Sequence, residues 1–277
     1  MAPTILVAPA EATWAKLPGH PRLLANAARF EALKTPTEEV SRQLLVLLKQ
    51  QAKEALAGEP INFPATGFLM GPARQAQGRI LALALSYRLT GEKRYCVKAR
   101  EELRRLCDLP EWRPSHFLDV GEASLAAGLG LDWLYDELST EERDRIAKAI
   151  VQNAILPSLE VPSGNGSWVD GDFNWTQVCH TGVIVGALAI AEREPALARQ
   201  VVERAVRHMG KVGGTYAPDG AYAEGPSYWS YGTSFHVILI EALRSALGTR
   251  HELQLREIPG LSEACRLQQP DGWANRR

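Results

Sequence analysis

The sequence predicts an all-α protein built as a double ring of helical hairpins, and three observations carry that expectation. Apolar residues recur at helical spacing from Thr35 onward, and the breaks between these runs look like helix caps rather than hairpin turns. Successive helices also alternate between apolar throughout and charge-striped. A helix apolar all round belongs inside, and one with a charged stripe belongs outside.

The elements follow in order. Thr35-Pro36-Thr37-Glu38 places a capping Thr before a first-turn Pro and a Glu three residues on, so a helix is expected from there to about Leu56. Arg74–Leu89 is a second apolar run, closed by Thr90-Gly91, and Glu92–Leu106 a third with charges on its outer face. Gly121–Leu138 is a fourth, and the capping box Ser139-x-x-Glu142 opens a fifth that ends near Leu159. Periodicity returns over Asn174–Glu192, Pro195–Met209 and Tyr231–Leu247. Arg74–Leu89, Gly121–Leu138 and Asn174–Glu192 are the inner helices in this reading. Glu92–Leu106, Ser139–Leu159 and Pro195–Met209 are their outer partners. No fixed repeat motif is visible, which disfavours tetratricopeptide-like solenoids.

Composition narrows the function classes. With 45% hydrophobic and 23% charged residues the chain has globular composition, so disorder is not the default. A net charge of −1 leaves no basic field to attract nucleic acid or an anionic membrane. No run approaches the roughly 18 apolar residues of a membrane helix. The four cysteines lack the C-x-x-C spacing of zinc or redox sites, and Cys96 and Cys179 read as buried thiols. Neither a metal nor a cofactor is expected. Met1–Pro9 has no positive n-region, so it does not read as a signal peptide.

Two stretches break the helical rhythm, Val161–Trp175 and Gly213–Gly232, both rich in Gly, Asp, Asn and aromatic residues. Loops of this length inside a compact domain are usually functional. Each precedes an inner helix, so both are expected on one face of the ring, where a carbohydrate cleft would form.

The segments His116-Phe-Leu-Asp-Val-Gly-Glu, Gly130-Leu-Asp-Trp-Leu-Tyr-Asp, Asn174-Trp-Thr-Gln-Val-Cys and Asp219-Gly-Ala-Tyr-Ala-Glu-Gly-Pro-Ser-Tyr-Trp-Ser-Tyr-Gly resemble the heparinase II/III-like polysaccharide lyases, a family that includes oligoalginate lyases. The resemblance spans roughly His20 to Gly248. It implies an incomplete (α/α) toroid at 35–260, an N-terminal extension at 1–34 and a truncated or aberrant tail at 261–277, where the family would continue into a β-sandwich. The sandwich normally supplies a further catalytic His. The resemblance also implies an acidic polysaccharide or oligosaccharide substrate, cleavage by β-elimination, and a periplasmic or secreted setting.

That chemistry needs a group to neutralise the uronate carboxylate, a base for the C5 proton and an acid for the departing O4. The resemblance assigns the first role to Asn174 and the acid or base role to Tyr228. Gln177, one helical turn beyond Asn174, is placed to add a second hydrogen bond to the sugar. Alternatives remain at each position. Asn174 also reads as a helix cap. Tyr228 competes with Tyr231, and the family spacing favours Tyr228. Glu224 is a substrate-side carboxylate or a loop-ordering acceptor, with the second preferred.

His116 lies where its loop would open on the cleft, a position that helix entry explains equally well, while His180 and His236 read as packing. Trp168, Trp175 and Trp229 are candidates for stacking on sugar rings. Arg74 and Lys211 are the local cations available to an anionic chain. Two other readings stay open: a glycoside hydrolase using two of Asp170, Asp172, Asp219 and Glu224, and a carbohydrate-binding helical domain without turnover.

Overall fold

A computed structural model describes residues 11–216 and 220–248. These residues form an all-helical structure whose helices pack on one another. The helices are α1 (Glu11–Trp14), α2 (Ala27–Leu33), α3 (Glu39–Ala57), α4 (Met70–Thr90), α5 (Lys93–Cys107), α6 (Phe117–Leu134), α7 (Thr140–Ile150), α8 (Leu156–Glu160), α9 (Asn174–Ala189), α10 (Pro195–Gly213) and α11 (Pro226–Leu247). The tail at 261–277, Asp219 and Cys265 lie outside the described residues.

The most extensive contacts join α4 to α6, α6 to α9 and α9 to α11, making a row of four helices. Side-chain bonds give their direction. At one end the backbone N–H of Leu69, just before α4, donates to Asp119 in the first turn of α6, and Tyr231 of α11 donates to Glu122 of α6. At the other end Arg88 of α4 donates to the Trp133 carbonyl of α6. The four helices therefore run the same way, with α5, α7 and α10 as the returns. This parallel arrangement brings four N-terminal ends together, each with a partial positive charge.

Burial follows the expected alternation, most clearly in α6, where every residue is buried, and in α9, where only Trp175 is not. The α6–α9 interface is a backbone contact. A Cβ added at Gly182 would lie 2.1 Å from the Gly121 carbonyl oxygen, and one at Gly128 would lie 2.9 Å from the Gly186 Cα. The helices meet because neither carries a side chain there. By contrast α4 exposes Gly71, Arg74, Gln75 and Gly78 near its start, so it is less enclosed than its apolar run suggests.

Several boundaries differ from the sequence reading. No side-chain cap forms at Thr35; α3 starts at Glu39, and its N-cap Glu38 makes no capping bond. The Ser139–Glu142 capping box is present as expected. The fifth run is not one regular helix, because a π-helical turn at Val151–Ile155 separates α7 from α8. The last helix begins at Pro226 rather than Tyr231. Gly225, with φ of 89°, turns the chain, and Pro226 supplies a preset first-turn φ. Tyr228 and Trp229 are thus helical residues.

The stretch read as an N-terminal extension packs into the same core through Trp14, Leu23 and Phe30. Its segment 18–24 closes the C-terminal end of the row. Asp132 of α6, fully buried, accepts from the backbone N–H groups of Arg22 and Leu23 and from His20 Nδ1. Arg22 donates to the otherwise open carbonyls of Leu188 and Ala189 at the end of α9 and pairs with Glu192. Cations suit that end of a helix.

Candidate functional site

The convergent N-terminal ends carry a cluster of polar side chains. Asn174 is the first residue of α9, and Phe173 rather than Asn174 is the N-cap. The Asn174 side chain makes no capping bond. Its Nδ2 donates to Glu224 Oε2 at 2.6 Å, across to the loop ahead of α11. Asn174 is buried, and its Oδ1 has no hydrogen-bond partner. Such an acceptor has lost water without replacement, at a cost of about 1–3 kcal/mol.

Gln177 lies deeper than expected. It is fully buried, and its Nε2 donates to the Tyr216 hydroxyl at 3.0 Å and faces His236 Nδ1 at 3.2 Å. Tyr216 also meets Thr233 at 3.1 Å. Gly232 permits this contact, since a Cβ there would lie 2.2 Å from Gln177 Oε1. Gln177 therefore braces α9 against α11 rather than presenting its amide to a ligand. Burial drives the His236 pKa down to about 4, keeping the ring neutral within this network.

The two tyrosines differ sharply. Tyr231 is half-buried, and its hydroxyl donates to Glu122 Oε1 at 2.7 Å. Burial and then the Glu122 charge push its pKa upward, so this phenol stays protonated. Tyr228, in the first turn of α11, is 48% exposed, and its hydroxyl is held by no partner among the described residues.

Glu122 is the site residue that sequence reasoning did not single out. It is 1% exposed, and its Oε1 also accepts from Arg74 Nε at 2.7 Å. Its Oε2 has no partner. The signal was available: a carboxylate inside a helix apolar all round must have a partner or an unusual role. The Arg74 guanidinium lies over the Tyr231 ring, 4.5 Å from its centroid, while 43% of the side chain is exposed.

At the rim, His116 precedes α6 and its Nδ1 lies 2.6 Å from Asp119 Oδ1. Asp119 is fully buried and holds Leu69 N–H with its other oxygen at 2.5 Å. The His116 ring meets Phe68 at 4.6 Å and Trp175 at 5.0 Å, both edge-on. Trp175 is half-buried and Phe68 exposed, so this small aromatic strip faces outward. Trp229 is pinned by its indole N–H to the Gly220 carbonyl at 2.9 Å and packs on Tyr216 and Tyr222.

Other candidates fall away from the cluster. Trp168 is core, stacked on Phe117 at 4.6 Å and edge-on to His180, which corrects its reading as a sugar platform. His180 bonds the Val169 carbonyl at 2.8 Å, and burial lowers its pKa to about 3, as suits a packing histidine. Asp170 accepts from Gly164 N–H and Lys211 donates to the Asp170 carbonyl, so both order the first loop. Cys96, Cys107 and Cys179 are buried and unpaired. Among the described residues no three His, Cys, Asp or Glu side chains converge as metal ligands, and no helix is long and apolar enough to cross a membrane.

The cluster thus offers a buried amide with an unmet acceptor, a solvent-facing phenol, an oriented guanidinium and an aromatic rim. No protein-family model and no curated protein matches the chain.

Proposed function

We propose that the chain is the incomplete (α/α) toroid of a heparinase II/III-like lyase that cleaves uronic-acid glycans by β-elimination at the N-terminal end of the helix row. The observation that carries the reading is the Asn174–Glu224 contact. The buried amide already holds a carboxylate at 2.6 Å, the same chemistry as the C6 carboxylate of a uronate. Glu224 is exposed on its loop, so a sugar carboxylate would exchange with it. An amide donor there stabilises the charge that builds on the carboxylate as C5 loses its proton.

Tyr228 serves as the acid or base. Tyr231 is bound to Glu122 and kept protonated, whereas the Tyr228 hydroxyl is open to a ligand one helix away from Asn174. In the reaction the C5–H bond breaks, its electron pair forms the C4–C5 double bond, and O4 leaves with a proton. The aromatic strip of Trp175 and His116 fits the apolar face of a neighbouring sugar. A periplasmic or secreted setting accompanies this reading.

The test is product formation on alginate, heparosan, chondroitin and glucuronan, followed by ultraviolet absorbance of the new double bond. The expected result is unsaturated product, lost by about 100-fold or more in Asn174→Ala and Tyr228→Phe. Saturated reducing ends without absorbance would replace this reading with hydrolysis. Full activity in Tyr228→Phe would remove that residue from the chemistry.

A further inference from the structure

Arg74, Glu122 and Tyr231 come from three helices and form one unit. Glu122, buried at the start of α6, takes the Nε–H of Arg74 from one side and the Tyr231 hydroxyl from the other, each at 2.7 Å. The Tyr231 ring in turn supports the face of the guanidinium at 4.5 Å. An exposed arginine ordinarily samples many rotamers, at an entropic cost to whatever binds it. Here the side chain is fixed through its inner edge and its face. Glu122 and the Tyr231 hydroxyl are the groups that act on it, and 43% of the side chain stays exposed, which leaves the outer edge of the fork to solvent.

That outer edge has the planar two-donor geometry that matches a carboxylate. We propose that Arg74 is a carboxylate-binding residue selecting acidic sugars, and that Glu122 is the positioning residue that aims it. The inference rests on the lyase reading and names the group that gives it substrate selectivity. Glu122 has a double effect. Its charge balances Arg74 while the site is empty, and its placement at the inner edge turns the remaining donors outward. The N-terminal ends of α4, α6, α9 and α11 add partial positive charge to the same region, which favours an incoming anion.

The experiment compares binding of an oligouronate of defined length with binding of the same oligosaccharide after its carboxyls are reduced to alcohols. Calorimetry is run on the unmodified chain, Arg74→Gln, Arg74→Lys and Glu122→Gln, with circular dichroism reporting the fold. The unmodified chain is expected to prefer the acidic oligosaccharide. Arg74→Gln should reduce that preference by about 10-fold or more, in line with the loss of a charge-assisted fork. Arg74→Lys should fall between, because it keeps the charge and loses the planar pair. Glu122→Gln should also lower the preference while the neutral oligosaccharide binds as before.

Unchanged preference in Arg74→Gln overturns the carboxylate seat and leaves the lyase reading standing if product still forms. Unchanged preference in Glu122→Gln overturns the positioning role alone. If Glu122→Gln does not fold, Arg74→Gln decides the seat, since Arg74 is partly exposed and its removal opens no core cavity. An unmodified chain that binds neither oligosaccharide sinks the lyase reading and this inference together, and that failure is visible before any substitution is made.

Discussion

The two ends of the α4–α6–α9–α11 row are made of the same helices and treat their polar groups in opposite ways. At the C-terminal end, Asp132 has both oxygens occupied, His20 both nitrogens, and Arg22 bonds through Nε, Nη1 and Nη2. Arg88 Nη2, 3.8 Å from Asp136, and the indole nitrogen of Trp14 in the adjoining N-terminal stretch are exceptions. At the N-terminal end, Asn174 Oδ1 and Glu122 Oε2 are buried without partners. A satisfied network holds a fold together, and unmet buried capacity costs stability while leaving groups ready for a ligand. One end has its buried polar groups mostly paired, and the other leaves several of them unpaired.

The largest test of this contrast is Asp132→Ala. It strips the acceptor from two buried amides and His20, and removes a counter-charge near buried Arg22. A loss of about 3–5 kcal/mol is expected in urea unfolding. A cost under about 1 kcal/mol would show that the closed end does not stabilise the row. Gly182→Ala comes next, at about 1–3 kcal/mol, because the new methyl must push α6 and α9 apart. Its effect should appear in both stability and product formation, since both ends hang on that interface.

A further effect comes from pH, and buried groups at both ends of the row contribute to it. Burial alone would raise the Glu192 pKa, yet bonds from His20 and Arg22 hold it at about 2. Its depressed folded pKa contributes stability above the ordinary value of 4.5, lost as pH falls toward 2. Burial alone would lower the His20 pKa, but its bonds to Asp132 and Glu192 raise it above 6.5. That contribution is complete below 6.5 and fades as pH climbs through the raised value. His180 and His236, kept neutral by burial with pKa values of about 3 and about 4, add a contribution that is complete above 6.5 and lost as pH falls toward those values. Urea midpoints should therefore peak near 6.5, and Asp132→Ala should flatten the alkaline side of the curve.

The open end should show the reverse pattern. Asn174→Ala removes an unmet acceptor together with one bond, so it should shift stability by no more than about 1 kcal/mol. Tyr228→Phe deletes an exposed hydroxyl and should stay within about 0.5 kcal/mol. Under the proposed lyase reading, both should lower product formation by about 100-fold or more. A large stability loss in either would make these residues structural and erase the contrast.

Periodicity made α4 to α7, α9 and α10 legible, because each carries its apolar stripe or its full apolar run within its own sequence. The segment 18–24 was not legible as structure. It has no period, and its burial arises from partners more than 100 positions away, such as Asp132. The π-helical turn at Val151–Ile155 leaves no trace in the pattern either. In the site, Asn174 and Tyr228 stand out through the family resemblance of their motifs, and Glu224 and Tyr231 lie in the same loop-rich segment as Tyr228. Gln177 stood on the expected face, but its depth depends on Gly232 in another helix. Glu122 lies within a quoted motif, but its partners come from two other helices far away in sequence. Only the coordinates join it to Arg74 and Tyr231.

The glycine contact between α6 and α9 has a consequence for how the molecule can adapt. Main chain touches main chain there, so no rotamer change can alter the gap between the rods bearing Glu122 and Asn174. Under the proposed lyase reading, glycans of different girth would be accommodated by the partly uncovered start of α4, or by the Glu224 loop and α11. Substrate range would then evolve by changes in those flanking parts, with the α6–α9 pair acting as a ruler of constant length.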